Sequence, residues 1–153
     1  MKNREIKFRA LTSGSAKMVY GDLINLDNDV LIAGVDMFAG QFTNGYIEVE
    51  AISVYPASIG QFTGLKDKNG KDIYEGDIVK WKTRRYKSVY TGLKEDRDKL
   101  QTITWKSPVE WDMNAFCITE SFDPIQRNNS PLVDYETLEV IGNIHENPEL
   151  LNT

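Results

Sequence analysis

The residues of this sequence best suited to chemistry form a short aromatic and basic segment that begins at residue 81. The segment interleaves rings with cations: Trp81, Lys82, Arg84, Arg85, Tyr86, Lys87 and Tyr90. Surfaces that bind single-stranded nucleic acid use this combination, because aromatic rings stack on bases while Lys and Arg hold phosphates. The candidate nucleic-acid contacts are therefore Trp81, Arg84, Arg85, Tyr86 and Lys87.

An alternative interpretation treats part of this segment as structural. Trp81 directly continues the apolar pair Ile78 and Val79, as a core residue of a strand would. The acidic residues Glu95, Asp96 and Asp98 follow closely and cancel part of the positive field. Both interpretations stay open at the level of sequence.

A second group of polar residues carries the carboxylate and amide oxygens that calcium sites use. Asp67, Asn69, Asp72 and Glu75 lie around a glycine, but their spacing does not fit the calcium-binding loop, which sets glycine at position 6 and glutamate at position 12. A solvated hairpin explains these residues better, so we predict no metal site there.

Catalytic constellations are lacking in this sequence. His145 is the only histidine and Cys117 the only cysteine, which leaves no ligand pair at zinc spacing. No nucleophile elbow, phosphate loop or dinucleotide fingerprint is present. We therefore predict a protein that is not an enzyme and carries no cofactor; a carboxylate or His145 site is the alternative. Cys117 lies between Phe116 and Ile118, which predicts a packed core thiol.

The length and composition of the chain limit the class of protein to which these residues can belong. A chain of 153 residues with 41% hydrophobic and 27% charged residues is typical of one globular domain. Its formal net charge of -5 repels phosphate backbones at long range, so nucleic-acid binding needs a local basic face. The charged start and the absence of a long apolar run predict a cytoplasmic protein with no membrane partner.

The segments that contain these residues are predicted to be β-strands. Residues 5–11 alternate charged and apolar side chains, and apolar runs at Met18–Tyr20, Leu23–Leu26, Val30–Ile32 and Tyr46–Ile52 follow, separated by turns. Asn69 and Gly70 predict a type I′ hairpin turn, in which both residues take positive φ. Glu75 to Val79 is typical of the turn into a strand of a small barrel of the Src-homology-three type.

The second half of the chain continues the strand pattern. Polar residues 83–102 predict a long excursion between barrel strands, with one or two helical turns around Leu93 to Leu100 as an option. Strands are predicted at Ile103–Trp105, Val109–Trp111, Phe116–Ile118 and Leu138–Ile144, with a loop from Pro124 to Pro131. Asn147 and Pro148 predict a short C-terminal helical turn.

Several of these segments resemble the YopX family. They are Arg4–Ala10, the block from Gly64 to Lys80, Val109–Trp111, and Val140–Leu151. The resemblance implies a β protein from bacteriophages or prophages and attaches no biochemical activity to it. Two departures from the family are the length of residues 83–102 and His145, where an aromatic residue is common.

Together these observations predict an all-β fold in one domain, residues 1–153. It comprises N-terminal strands over 1–58, a small partly open barrel over 59–146 with the polar excursion 83–102, and a turn over 147–153. The leading functional hypothesis is an accessory protein-interaction module of a phage or prophage, acting in the cytoplasm of a bacterial host. Its expected partners are a host or phage protein and a second copy of itself through open strand edges. The alternative is a nucleic-acid-binding barrel.

Overall fold

The computed structural model describes residues 5–27, 29–33, 51–86, 92, 94–96, 99–120, 129–133 and 137–152. The strands are β1 (Phe8–Leu11), β2 (Met18–Leu26), β3 (Asp29–Ala33), β4 (Ala51–Ser53), β5 (Gly60–Lys66), β6 (Asp72–Tyr74), β7 (Asp77–Tyr86), β8 (Leu100–Pro108), β9 (Glu110–Asp112), β10 (Ala115–Thr119), β11 (Asn129–Pro131) and β12 (Glu139–Asn143). Short 3₁₀ turns occur at Pro56–Ser58, Lys94–Asp96 and Pro148–Leu151. The prediction of a mostly β protein is confirmed. Within the described ranges, no helix is long and apolar enough to cross a membrane.

The chain divides into two compact units. Unit one contains residues 1–65 and 72–75, and unit two contains residues 66–71 and 76–153. The predicted boundary at residue 59 does not coincide with this division, because β5 pairs with β1 in the sheet of unit one. That the whole chain folds as one domain stays a prediction.

The described residues of unit one form an antiparallel sheet with strand order β4-β3-β2-β1-β5-β6. The strands predicted on either side of the first turns pair as hairpins, with Leu11 of β1 opposite Met18 of β2 and Leu26 of β2 opposite Asp29 of β3. Ala10, Ile32 and Val54 form its buried cluster. Of the predicted strand Tyr46–Ile52, residues 46–50 lie outside the described ranges, and β4 supplies the rest.

The β5–β6 hairpin forms where predicted, but its turn is of another type. Gly70 has a φ of +83°, whereas Asn69 is not among the residues with positive φ. The Gly70 N–H donates to the Asp67 carbonyl at 2.9 Å and the Asp67 N–H donates to the Lys71 carbonyl at 2.8 Å. This is a three-residue loop that needs only one left-handed residue, so the predicted type I′ turn was wrong.

Unit two contains two three-stranded antiparallel sheets with orders β12-β7-β8 and β11-β10-β9. The described strands do not close into a barrel, so the predicted barrel is not confirmed. β7 and β8 pair without a break from Ile78 opposite Pro108 to Tyr86 opposite Leu100. The two ends of the predicted polar excursion, 83–86 and 100–102, therefore continue a long hairpin. This extension positions the candidate site.

The C-terminal part of unit two combines an irregular strand with one 3₁₀ turn. β12 pairs with β7 through a bulge between Val140 and Gly142. The predicted helical turn forms at Pro148–Leu151, although the Asn147 side chain makes no capping hydrogen bond to it. The predicted loop up to Pro131 was wrong for its last three residues, which form β11 against β10.

Candidate nucleic-acid interface

The candidate site lies on β7, whose side chains alternate between the two faces of the β12-β7-β8 sheet. Because successive residues of a strand point to opposite faces, odd-numbered and even-numbered residues of this strand separate. The odd-numbered set is buried at its start and is Val79, Trp81, Thr83 and Arg85. The even-numbered set becomes exposed and is Lys80, Lys82, Arg84 and Tyr86. The basic segment therefore supplies two different environments.

The odd-numbered face contains a polar cluster in which Trp81 and Glu120 are buried and the Arg85 side chain is 43% exposed. Trp81 has no exposed surface, and its indole N–H donates to Glu120 Oε1 at 3.2 Å. Arg85 pairs with the other carboxylate oxygen of Glu120, which is itself buried. These contacts neutralise a carboxylate that would be costly to bury alone. The first half of this face, at Val79 and Trp81, is part of the core of unit two.

Beside this cluster, a second buried indole is also hydrogen-bonded. Trp105, opposite Trp81 in the register, donates its indole N–H to Thr83 Oγ1 at 2.7 Å. The Arg85 guanidinium lies 5.9 Å from the centre of the Trp105 ring, within range of a cation–π contact. Both tryptophans thus have polar partners inside the unit, as buried indoles generally require.

The even-numbered face is strongly basic, and we call it the basic face. Lys80, Lys82 and Arg84 follow one another along β7, and Lys106 lies directly opposite Lys80 on β8. At the far end, Tyr86 is 53% exposed and its register partner Leu100 is 55% exposed. At the near end, Glu139 of β12 is opposite Lys80 and forms an ion pair with Lys68 at 2.7 Å.

The spacing of this face suits an extended polyanion. Every second residue of a strand is separated by about 6.6 Å, so Lys80, Lys82 and Arg84 form an evenly spaced row of positive charges. Successive phosphates of an extended single strand have a comparable separation. Since this spacing is shorter than the Debye length of about 8 Å at physiological salt, the charges act together. The face offers a row of cations that ends in an exposed ring.

The five residues predicted as nucleic-acid contacts do not share one surface. Arg84 and Tyr86 lie on the basic face, whereas Trp81 and Arg85 lie on the opposite one. The burial of Trp81 favours the alternative that it is a core residue, and it presents no ring face for stacking. Lys87 lies outside the described residues.

Two cations of the basic face, Lys80 and Lys106, were not predicted as contacts from the sequence. Lys80 was assigned only to a barrel strand and Lys106 to no site. Continuing the period-two pattern of β7 from Lys80 to Tyr86 would have found the first of these. The second depends on the register between β7 and β8, which the sequence does not specify.

The residues considered for calcium serve local structure. Asp67 is 6% exposed, and its carboxylate accepts hydrogen bonds from the backbone N–H groups of Asn69, Lys71 and Val140 at 2.8, 2.9 and 3.1 Å. Asp72 forms an ion pair with Lys7 at 2.5 Å. In the described ranges, no group of three or more His, Cys, Asp or Glu could hold a metal ion.

The lone cysteine and the lone histidine lie apart from the basic face. Cys117 is buried on β10, and burial raises the pKa of its thiol, so the predicted packed core thiol is confirmed. His145 lies in the turn after β12, where its backbone N–H donates to Asn143 Oδ1 at 3.0 Å.

The described strands form antiparallel sheets, one of which carries the basic face. Residues 7–152 match the family described as YopX protein, and the chain therefore belongs to the YopX family. A crystal structure of protein EF1440 from Enterococcus faecalis is similar to it, with 24% identity over 97% of this chain and 99% of that chain and a TM-score of 0.48. No match is found among curated proteins.

Proposed function

We propose that this YopX-family protein is a non-catalytic accessory protein that binds single-stranded nucleic acid on the basic face of unit two. The observation that carries the proposal is the segregation of charge on β7. In a chain with a formal net charge of -5, Lys80, Lys82 and Arg84 point to one side of a sheet and Lys106 joins them from β8. A local field of this kind concentrates anions even when the molecule as a whole repels them.

The pairing of Lys80 with Lys106 supports the same function. Like charges directly opposite each other on neighbouring antiparallel strands destabilise a sheet. Glu139, whose Oε2 lies 3.6 Å from Lys80 Nζ, relieves part of that repulsion in the free protein, and a bound phosphate would relieve more of it.

A sheet face also suits a single strand better than a duplex. Unstacked bases can lie on an exposed ring, and every base has such a face, which gives binding with little sequence preference. Tyr86 is placed for this contact at the end of the cationic row. The bacterial host cytoplasm and the phage or prophage setting that the family resemblance implies belong to the proposal as its expected context.

Fluorescence anisotropy with labelled oligothymidylate tests this function directly. The affinity should fall steeply between low and physiological salt, because binding releases counterions from phosphates. Lys82→Glu and Arg84→Glu should each weaken binding and reduce the logarithmic salt slope by about 0.7 for each phosphate that the variant no longer binds. Lys17→Glu, an exposed lysine of unit one, makes the same charge change elsewhere and serves as the control. Equal effects of all three variants, or no binding at low salt, would contradict the proposal.

A second candidate function is protein interaction, and a separate surface of unit two favours it. At the β9–β10 turn, Trp111 is 52% exposed and Met113 is 67% exposed. β9 also ends its three-stranded sheet, and such an edge can pair with a second copy of the chain or another protein. A partner protein enriched by the wild type and lost with Trp111→Ser would support this function. Retention of every partner by that variant would oppose it.

A further inference from the structure

A cavity of about 230 Å³ lies beside the near end of the basic face. Its lining consists of three lysines, one threonine, one glutamate and one tryptophan, namely Lys68, Lys80, Lys82, Thr137, Glu139 and Trp81. This volume accommodates several water molecules, each of which occupies about 30 Å³ in the liquid, and therefore a group of phosphate size. The cavity continues the row of cations that begins at Lys80.

Glu139 lines this cavity as an internal anion. Its Oε2 atom lies 2.7 Å from Lys68 Nζ and 3.6 Å from Lys80 Nζ. The hydrogen bond from Lys68, with the charge of Lys80 in addition, lowers the pKa of Glu139, so the carboxylate is ionised at neutral pH. Each ammonium group has three N–H donors, and a single carboxylate oxygen cannot satisfy them all.

The threonine of the cavity fixes the neighbouring backbone. Thr137 Oγ1 accepts the Lys82 N–H at 2.9 Å and donates to the Lys82 carbonyl at 3.3 Å. Its proton is therefore committed to the protein, and an entering anion would be held by the lysines. Ammonium groups suit phosphate oxygens because they act as compact point charges.

We infer that this cavity receives one phosphate group of the bound strand and that Glu139 is the internal anion which this phosphate displaces from Lys68 and Lys80. The inference rests on the proposed function and adds a defined subsite to it. When the phosphate replaces the Glu139 carboxylate, Lys68 and Lys80 each keep an anionic partner. The bound and free states therefore differ mainly in the position of the Glu139 side chain. Glu139 thereby competes with the ligand and weakens its binding.

The test compares two variants that remove the same charge. Glu139→Gln empties the subsite of its internal anion, while Glu110→Gln removes an exposed carboxylate of β9. With labelled oligothymidylate at fixed salt, Glu139→Gln should tighten binding by about threefold to tenfold, as expected for loss of one competing ion pair, and Glu110→Gln by much less. Adding Lys68→Gln to Glu139→Gln should remove most of the gain. Circular dichroism confirms that each variant is folded.

The outcomes separate this inference from the proposed function. If the wild type binds in a salt-dependent manner and Glu139→Gln and Glu110→Gln shift the affinity equally, the subsite is wrong and the proposed function stands. If neither the wild type nor Glu139→Gln binds, both are wrong. Inorganic phosphate distinguishes the source of the anion: competition at millimolar concentration that Lys68→Gln abolishes would indicate a site for free phosphate and would overturn its assignment to the bound strand.

Discussion

The Asp67 carboxylate accepts a hydrogen bond from the Val140 backbone N–H at 3.1 Å, and this bond joins residues 73 positions apart in the chain. The same carboxylate accepts the N–H groups of Asn69 and Lys71, so one side chain organises the hairpin tip and holds β12. Burial alone would raise the pKa of Asp67, but the backbone hydrogen bonds from Lys71, Val140 and Asn69 together lower it.

Asp67 should make the stability of the protein sensitive to acid. Because its pKa is lower in the folded state, its contribution is fully present above the unfolded pKa of about 3.9 and is lost as pH falls through the folded pKa. Asp67→Asn should reduce the free energy of unfolding at pH 7 by about 1–3 kcal/mol and flatten its decline below pH 4. Urea unfolding between pH 2.5 and 7 measures this, with Glu110→Gln as the exposed control. An unchanged pH profile for Asp67→Asn would contradict the assignment.

Substitutions of the neighbouring residues Arg84 and Arg85 should have different effects, one on oligonucleotide binding and the other on stability. Arg85→Ala leaves the buried Glu120 without its cation and should lower the free energy of unfolding by about 1–2 kcal/mol, because the Arg85 side chain is 43% exposed and water screens the pair in part. Arg84→Ala, on the exposed face, should change it by no more than about 0.5 kcal/mol yet weaken oligonucleotide binding. Urea unfolding and anisotropy on both variants measure the two effects. If Arg84→Ala lowered the stability and Arg85→Ala weakened only the binding, the two faces of β7 would have been assigned incorrectly.

Tyr86 should contribute to binding through its ring. Stacking of one base is worth about 1–3 kcal/mol, so Tyr86→Ala should weaken oligothymidylate binding by at least about fivefold with little change in the salt slope. Tyr55→Ala removes a tyrosine of unit one that is 49% exposed and should leave the affinity unchanged. A marked fall in the salt slope with Tyr86→Ala would instead indicate that the variant disturbs the lysine row.

Gly60 should be essential to the sheet of unit one. A Cβ atom at this position would lie 2.3 Å from the Glu75 carbonyl oxygen, which also accepts a hydrogen bond from Arg9. Gly60→Ala should therefore lower the free energy of unfolding by about 1–3 kcal/mol. Gly14→Ala is the matched control, because nothing lies within 4 Å of a Cβ atom there. Equal urea midpoints for the two variants would show that the strands can separate at little cost.

The β9–β10 turn offers a stabilising substitution. Met113 and Asn114 have φ values of +48° and +62°, the combination of a type I′ turn, although methionine disfavours the left-handed region. Met113→Asn should raise the free energy of unfolding by about 0.5–1 kcal/mol. Met113→Leu keeps the strain and should leave the thermal midpoint unchanged. A rise with both substitutions would indicate an effect of the exposed methionine side chain itself.

The sequence predicted the strands and most of their turns because period-two patterns and turn residues act locally. The sequence pattern gave wrong predictions of burial where contacts with residues far along the chain determine which side chains are buried. Arg9 was expected on the exposed side of an alternating strand, but it is 4% exposed, with its guanidinium 5.1 Å from the centre of the Tyr74 ring. Ile6, expected inside by the same alternation, is 60% exposed.

Of the five residues predicted as contacts, only Arg84 and Tyr86 lie on the basic face, and their role in binding stays a prediction. The local pattern already allowed Trp81 to be a core residue, but its polar partner Glu120 lies 39 residues further along the chain and was not predicted. The cationic row, by contrast, needs only the alternation of β7, and the sequence contains it in full. Its extension to Lys106 and Lys68 depends on strand register and on the hairpin tip, neither of which local patterns specify.

The unbroken pairing of β7 with β8 also has a consequence for how this protein can vary. Insertion or loss of one residue within β7 would exchange its two faces, burying lysines and exposing Trp81. Length changes there should be strongly selected against, while point changes at its exposed positions leave the packing intact. Affinity for a partner can thus be adjusted over generations without an accompanying loss of the fold.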